Sequence, residues 1–339
     1  MSIITPSGKI ITPDALFVKH RYARNSAEID NAPMQMEGLF KFIVRRADGS
    51  IKQETPFSRN LILNQGLNLF GSTAQYVSFC GVGTSTSPPT ATDTALLAGP
   101  IYTTTLQASV DTGSGGAPWY VATSRTFRFA LGQLNGNYTE VGVGATQPAL
   151  FSRALITPDG VNPTALPVQS DEQLDVVYQL RYYAPASDVT GSITLAGQSY
   201  SFTGRAAYVG VFGVSSGGFG NVIFGASWGN LAFGARPFSG SSENYVYAGN
   251  IGPVTEEPVG TRATSGTEHV TNSYSAGSYQ RSGRINYGLN DGNLAGGIRS
   301  MLVHVAGGGL YQYEFTPNIP KDNTKTLGID AQVSWARRP

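Results

Sequence analysis

Acid-base or nucleophilic chemistry in this 339-residue chain would have to start from three histidines, one cysteine and a few neighbouring carboxylates. A Ser, His and Asp triad would draw on His20, His269 or His304. His304 lies within Ser300-Met301-Leu302-Val303-His304-Val305, an apolar run that reads as a strand with the imidazole on one face. Glu268-His269 has no second His or acid at ligand spacing, so it reads as part of a surface strand rather than a metal site. Asp171 with Asp175, and Glu256 with Glu257, are acid pairs of the kind used in glycoside hydrolysis, a mechanism decided by carboxylate separation in space. Cys80 is alone, which excludes an internal disulfide and a thiolate zinc site. The Gly-rich run 215–220 is followed by no Lys, and Lys325-Thr326 has no Gly before it, so neither forms a phosphate cradle. The expectation is a chain with no catalytic residue, no metal and no cofactor, and therefore not an enzyme.

The aromatics offer a different chemistry. Seventeen Tyr and three Trp accompany many Asn, Ser and Thr, and an aromatic ring presents an apolar face and a polar edge to sugars and interfaces. Tyr245, Tyr247, Tyr274 and Tyr279, in the Gly- and Tyr-rich tract 240–290, are the candidate contacts if exposed. Most of the other tyrosines read as ordinary sheet residues.

Composition narrows the classes further. Only 13% of residues are charged, and 23 basic against 22 acidic side chains leave a formal charge of +1. Phosphate neutralisation needs a basic surplus, so nucleic acid is not an expected partner. A hydrophobic fraction of 40% is too high for a disordered chain. The longest apolar runs, such as 208–214, are short and broken by Gly, so no membrane-inserted helix is expected. The first nine residues show no basic segment followed by an apolar core, so no secretory signal is read and synthesis in a cytosol is expected.

These groups must be positioned by strands. Leu39-Phe40-Lys41-Phe42-Ile43-Val44-Arg45-Arg46 predicts one, and Asp48-Gly49 supplies the turn into Ile51-Lys52-Gln53-Glu54. Leucines at 63 and 67 with an aromatic at 70 have helical spacing over 60–70, and Gly71 reads as the stop. Further strands are expected at 76–83, 120–130, 138–143, 150–156, 174–183, 298–305, 310–315 and 326–335. Of these, 174–183 is largely β-branched or aromatic and should be central. Phe-Gly recurs at 212, 219, 224 and 233, spacings too irregular for a solenoid. The sum is an all-β fold of β-sandwich-like domains, with many short strands, Gly-rich turns and one short helix.

Three divisions follow: an extended N-terminal arm over 1–37, a β-rich domain over 38–187 and a Gly- and aromatic-rich β domain over 188–339. The arm contains Pro6, Pro13 and Pro33 and scattered charges, and a partner chain is its simplest holder. No Lys or Arg occurs between Asn60 and Ser124. Freely solvated surface rarely lacks cations for that long, so part of this stretch is expected to face other protein.

The run Asn60-Leu61-Ile62-Leu63-Asn64-Gln65-Gly66-Leu67, followed by Gly81-Val82-Gly83-Thr84-Ser85 and the Pro-rich stretch to Asp93-Thr94-Ala95-Leu96, resembles virion proteins of tailed bacteriophages. Ser85 departs from that pattern, where Gly is more usual. Glu140-Val141-Gly142-Val143-Gly144, Leu150-Phe151-Ser152-Arg153-Ala154 and Glu172-Gln173-Leu174-Asp175-Val176-Val177-Tyr178 look like the same group. The resemblance covers about residues 38–185 and implies a component of a tail, baseplate, collar or fibre. The chain would then be made in the host cytoplasm and reside in the virion, with its 38–187 domain attached to the particle. Its partners would be copies of itself in a homo-oligomer such as a trimer, and other virion proteins. Phe17, Arg21, Tyr22 and Arg24 in the arm are the candidate assembly residues. The alternative is a receptor-binding appendage that contacts host surface polysaccharide through Tyr245, Tyr247, Tyr274 and Tyr279.

Overall fold

The computed structural model describes residues 33–72, 76–209, 244–263, 268–306 and 309–339, with backbone alone at 268, 269, 271 and 306 and in the short strands Ile3–Ile4, Ile10–Ile11, Glu28–Ile29 and Ala232–Phe233. Met34–Arg46 (β1) alternates: Met34, Met36, Phe40, Phe42 and Val44 point into the core, while Lys41, Ile43 and Arg45 lie on the other face. The strand therefore starts four residues inside the stretch expected to be arm, because Met34 and Met36 carry its buried face onward. Asp48-Gly49 turns β1 into Ile51–Glu54 (β2), as the turn chemistry predicts.

The fold is all-β. The largest sheet runs from Leu106–Gly113 (β5) through Tyr120–Phe129 (β6), Glu172–Tyr183 (β9), β1, Leu327–Arg337 (β15) and Gln280–Tyr287 (β12) to the strand Glu268–Thr271. Two further strands of this series are Phe79–Gly83 (β3) and Ile101–Thr103 (β4), which with Glu140–Thr146 (β7), Ala149–Leu155 (β8) and Leu61–Ile62 form a second sheet. A third sheet contains Val189–Leu195 (β10), Gln198–Ala206 (β11), Ile298–Ala306 (β13) and Gly309–Ile319 (β14), continued by Val246–Tyr247 and Arg262–Ala263. The predicted central strand is central: β9 pairs with β1 over its full length and with β6 from Leu174 to Tyr183.

The expected division at 187/188 is crossed by β15, which pairs parallel with β1 through Trp335 opposite Met34. One buried cluster draws residues from all three sheets. The strand Glu28–Ile29 also pairs with β15 of the same chain, so this part of the N-terminal segment is held by its own sheet.

The single helix among the described residues is Asn64–Ser72 (α1), shorter at its start than the predicted 60–70 because Leu61 and Ile62 pair as strand with Arg153 and Ser152. Its close approach to β8 requires Gly66, where a Cβ would lie 2.0 Å from the Phe151 carbonyl oxygen. Gly71 is not the stop; it lies inside the helix, where a Cβ would meet the Trp335 ring at 2.7 Å. Phe70 packs edge-on to Tyr76 and Trp335, and the indole N–H of Trp335 donates to Leu67 O at 2.9 Å. The helix is thus a wedge that ties the last strand to the second sheet.

Candidate functional site

Three of the runs that carry the resemblance meet around one ionic cluster. β7 pairs with β8 and β3, which brings Glu140 and Arg153 together on neighbouring strands, both 0% exposed. Arg153 donates to Glu140 Oε2 at 2.9 Å from Nε, to Asp93 Oδ2 at 2.8 Å and to Ser87 O at 3.0 Å. Glu140 in turn accepts from the backbone N–H of Leu97 (3.0 Å) and Ala98 (2.9 Å). The Pro-rich loop between β3 and β4 is therefore gripped at both ends, and Leu96 closes it by packing with Leu63, Phe79 and Leu150. Gly83 permits this closure, since a Cβ there would sit 2.6 Å from both Ala98 O and Glu140 Oε1. Burial acts to raise the Asp93 carboxyl, but hydrogen bonds from Thr90 and Arg153 outweigh it and hold the group below the usual carboxylate range. The cluster acts as a clamp on the loop, with Arg153 and Glu140 wholly enclosed. The sequence contains Glu140 and Arg153 within recognised runs, but their pairing with Asp93 depends on the register of three strands.

The face of the large sheet turned away from the core carries a second ionic set. Asp175 on β9 accepts from Arg128 on β6 (Nε, 2.6 Å) and Arg45 on β1 (Nε, 2.8 Å). Here too burial acts to raise the carboxyl, and the two guanidinium groups overcome it, so its pKa lies below the ordinary value. Both acids are thus more acidic folded than unfolded. Their stabilisation is fully present above the unfolded value of about 3.9 and is lost as pH falls through the folded value. The urea midpoint is expected to fall below about pH 4, and Asp175→Asn should flatten that fall. An unchanged acid slope in Asp175→Asn would place the loss in other groups.

The catalytic candidates are dispersed. His304 is buried on β13, its backbone N–H bonded to Asn244 Oδ1 at 2.8 Å. His20 and the side chains of Glu268 and His269 lie outside the described residues. Asp175 is taken up by the two arginines, and Glu257 accepts a hydrogen bond from Tyr247 at 2.9 Å. Cys80 is buried, which pushes its thiol pKa up and makes it a poor nucleophile. Among the described residues no three His, Cys, Asp or Glu side chains gather as a metal set. The sequence holds two Gly-x-Ser-x-Gly runs, at 213–217 and 225–229, which lie outside the described residues. A nucleophile elbow needs a strand-to-helix turn above a mainly parallel sheet.

The four tyrosines do not form one exposed aromatic surface. Tyr247, expected to be exposed, is 2% exposed, because the strand Val246–Tyr247 lies inside the third sheet and its hydroxyl is held by Glu257. The Arg262 guanidinium stacks on Tyr245, 4.1 Å from the ring centroid. Tyr274 packs on Trp335 at 5.7 Å between centroids and donates to Asn68 Oδ1 at 2.7 Å. Tyr279 is half-buried against the main core, and its carbonyl accepts from the Trp335 backbone N–H. Two of the rings thus belong to the third sheet and two to the seam between α1 and β15. Phe17, Arg21, Tyr22 and Arg24 lie outside the described residues, as do the Phe-Gly repeats apart from the backbone of Phe233.

A surface of a different kind stands at the edge of the large sheet. All eight residues of β5 are exposed, and no strand among the described residues pairs with its outer edge. This strand lies within the stretch that has no Lys or Arg.

No family model, no curated protein and no solved structure matches this chain.

Proposed function

We propose that this chain is a non-enzymatic structural subunit of a tailed-phage virion, a component of the tail, baseplate, collar or fibre that assembles with copies of itself and with other virion proteins. The observation that carries the reading is the convergence of three of the five runs that resemble such proteins. The β3 run and its loop, the Glu140 run and the Arg153 run meet in one clamp that fixes an ordered Pro-rich loop on the second sheet. A rigid loop on a sheet scaffold suits a contact that must be made identically in every subunit. The exposed, cation-free β5 supports self-assembly through sheet edges. The alternative of a glycan-contacting appendage draws no support from its four named tyrosines, whose rings or hydroxyls are engaged by the chain itself.

Immunogold labelling of purified particles from the source culture, with antibody raised against this chain, tests the reading. Labelling at a constant position on tailed particles is expected. Protein found only in the soluble lysate and absent from particles would overturn it.

A further inference from the structure

We propose that β5 is the contact between copies of this chain: two protomers pair their β5 strands antiparallel about a two-fold axis through Val110, which carries the large sheet across the dimer. The inference deepens the assembly reading and rests on it.

The direction of the free backbone groups follows from two hydrogen bonds. Ser114 N–H donates to Tyr120 O at 3.0 Å, and the pairing of Gly113 with Val121 continues to Ala108 with Thr126. In an antiparallel pair the N–H and C=O of successive residues alternate sides. Ala108, Val110 and Thr112 therefore face β6, and Ser109, Asp111 and Gly113 present their N–H and C=O to the open edge. Beyond the bulge at Gln107 the alternation shifts by one residue, so that Thr105 faces β6 and accepts from Arg128 N–H at 2.9 Å.

Soluble proteins guard such edges with Lys, Pro, inward charges or very short strands. β5 is eight residues long, has no Lys or Pro, and is interrupted only by the bulge near its start. Val110 is 54% exposed and Leu106 46%.

The side chains select a second copy and its register. With Val110 opposite the partner's Val110, the two valines meet at a non-hydrogen-bonded position, where side chains approach most closely. Ser109 then exchanges backbone hydrogen bonds with the partner's Asp111, and Ala108 faces the partner's Thr112. The single ionised side chain of each strand meets a neutral hydroxyl. Centring the pair on Asp111 would oppose two carboxylates, which is repulsive. Centring it on Ser109 would set Asp111 against the partner's Gln107, where the bulge breaks the ladder. The Val110-centred register keeps the two carboxylates apart and seats Asp111 in a hydrogen-bonded pair on the regular part of the ladder, with Gly113 opposite the partner's Gln107. The two-fold axis is perpendicular to the sheet, so each face continues unchanged across the junction.

Disulfide trapping of the full chain tests this. Cys80, the only native cysteine, is buried and gives little background. Val110→Cys is compared with Val161→Cys, whose parent residue is 77% exposed in a loop. Paired thiols have an effective concentration in the millimolar range, so Val110→Cys is expected to form covalent dimer about 100-fold faster than Val161→Cys at micromolar protein. Ser109→Pro removes an outward N–H that β6 does not use, and in the Val110→Cys background it should reduce the rate to the Val161→Cys level. If Ser109→Pro fails to fold, Val110→Lys replaces it, and light scattering then reads the expected loss of dimer. Equal trapping rates for the two cysteine variants would overturn the proposal. If oligomers nevertheless persist in solution, the assembly reading stands and another face mediates it. If the protein is monomeric by light scattering and absent from labelled particles, both fall.

Discussion

Glu140→Ala is expected to lower the unfolding free energy by about 3–5 kcal/mol, the cost of leaving one member of a buried ion pair without its partner. Arg153 would keep Asp93 and Ser87 O but lose its fully buried carboxylate, and the N–H groups of Leu97 and Ala98 would lose their acceptor. Domains of ordinary stability hold about 5–15 kcal/mol, so this single change removes a large part of the whole. Glu140→Gln keeps an acceptor oxygen for the two backbone N–H groups while removing the charge, and its loss should be smaller. Urea unfolding followed by far-ultraviolet circular dichroism measures both. A loss below about 1 kcal/mol for Glu140→Ala, the range of an exposed ion pair, would mean that the loop is held by Leu96 and its apolar neighbours instead.

The second large effect is expected at the other end of the chain. Trp335→Ala should cost about 3–5 kcal/mol, because it empties a fully packed position between Phe70 and Tyr274. It also strips the Leu67 carbonyl of an indole donor. Trp335→Phe restores part of the ring volume without the N–H, and since both variants lack that donor the difference between them reports packing alone. Limited proteolysis adds a positional readout: cleavage near α1 should appear first, since Gly71 and the indole are in direct apposition. If Trp335→Ala unfolds at the parental urea midpoint, the helix is anchored chiefly by Gly66 and β8.

Much of this architecture is legible in local pattern. The alternation of β1, the Asp48-Gly49 turn and the β-branched, aromatic content of β9 each state their structure within about ten residues, which is the reach of turn chemistry and period-two burial. The helix is legible from Leu63, Leu67 and Phe70, but its start is not. Leu61 and Ile62 have the same apolar character and become strand only because β8 offers them an edge. Met34 and Met36 are similar, since they extend β1 where scattered prolines and charges suggest an arm.

The ionic clamp is illegible for a different reason. Glu140, Arg153 and Asp93 stand in recognisable runs, yet nothing local says that an arginine flanked by Ser152 and Ala154 will be wholly buried. That outcome needs β3, β7 and β8 in register and a loop folded over them. The tyrosines mislead in the opposite direction. A Gly- and Tyr-rich tract reads as open surface, whereas Tyr247 is enclosed by its sheet and Tyr245 is capped by Arg262. Side-chain type gives the capacity to stack on a ligand, and only the fold decides whether a neighbour has already taken the ring. Within the stretch between Asn60 and Ser124 that lacks Lys and Arg, β5 is exposed along its whole length.

The insertion of β15 between β1 and β12 also orders events during synthesis. β12 and the strand 268–271 reach the sheet only through β15, whose Trp335 sits beside a residue made roughly 300 positions earlier. At ordinary elongation rates that interval lasts about 15–60 s, during which the Met34–Met36 end of β1 lacks its β15 partner while the rest of that edge is already covered by Ser58–Arg59 and β2. Neighbouring nascent chains on a polysome would each display the same vacant slot and the same apolar strand residues at that stage. The yield of folded subunit should therefore depend on how crowded the translating message is.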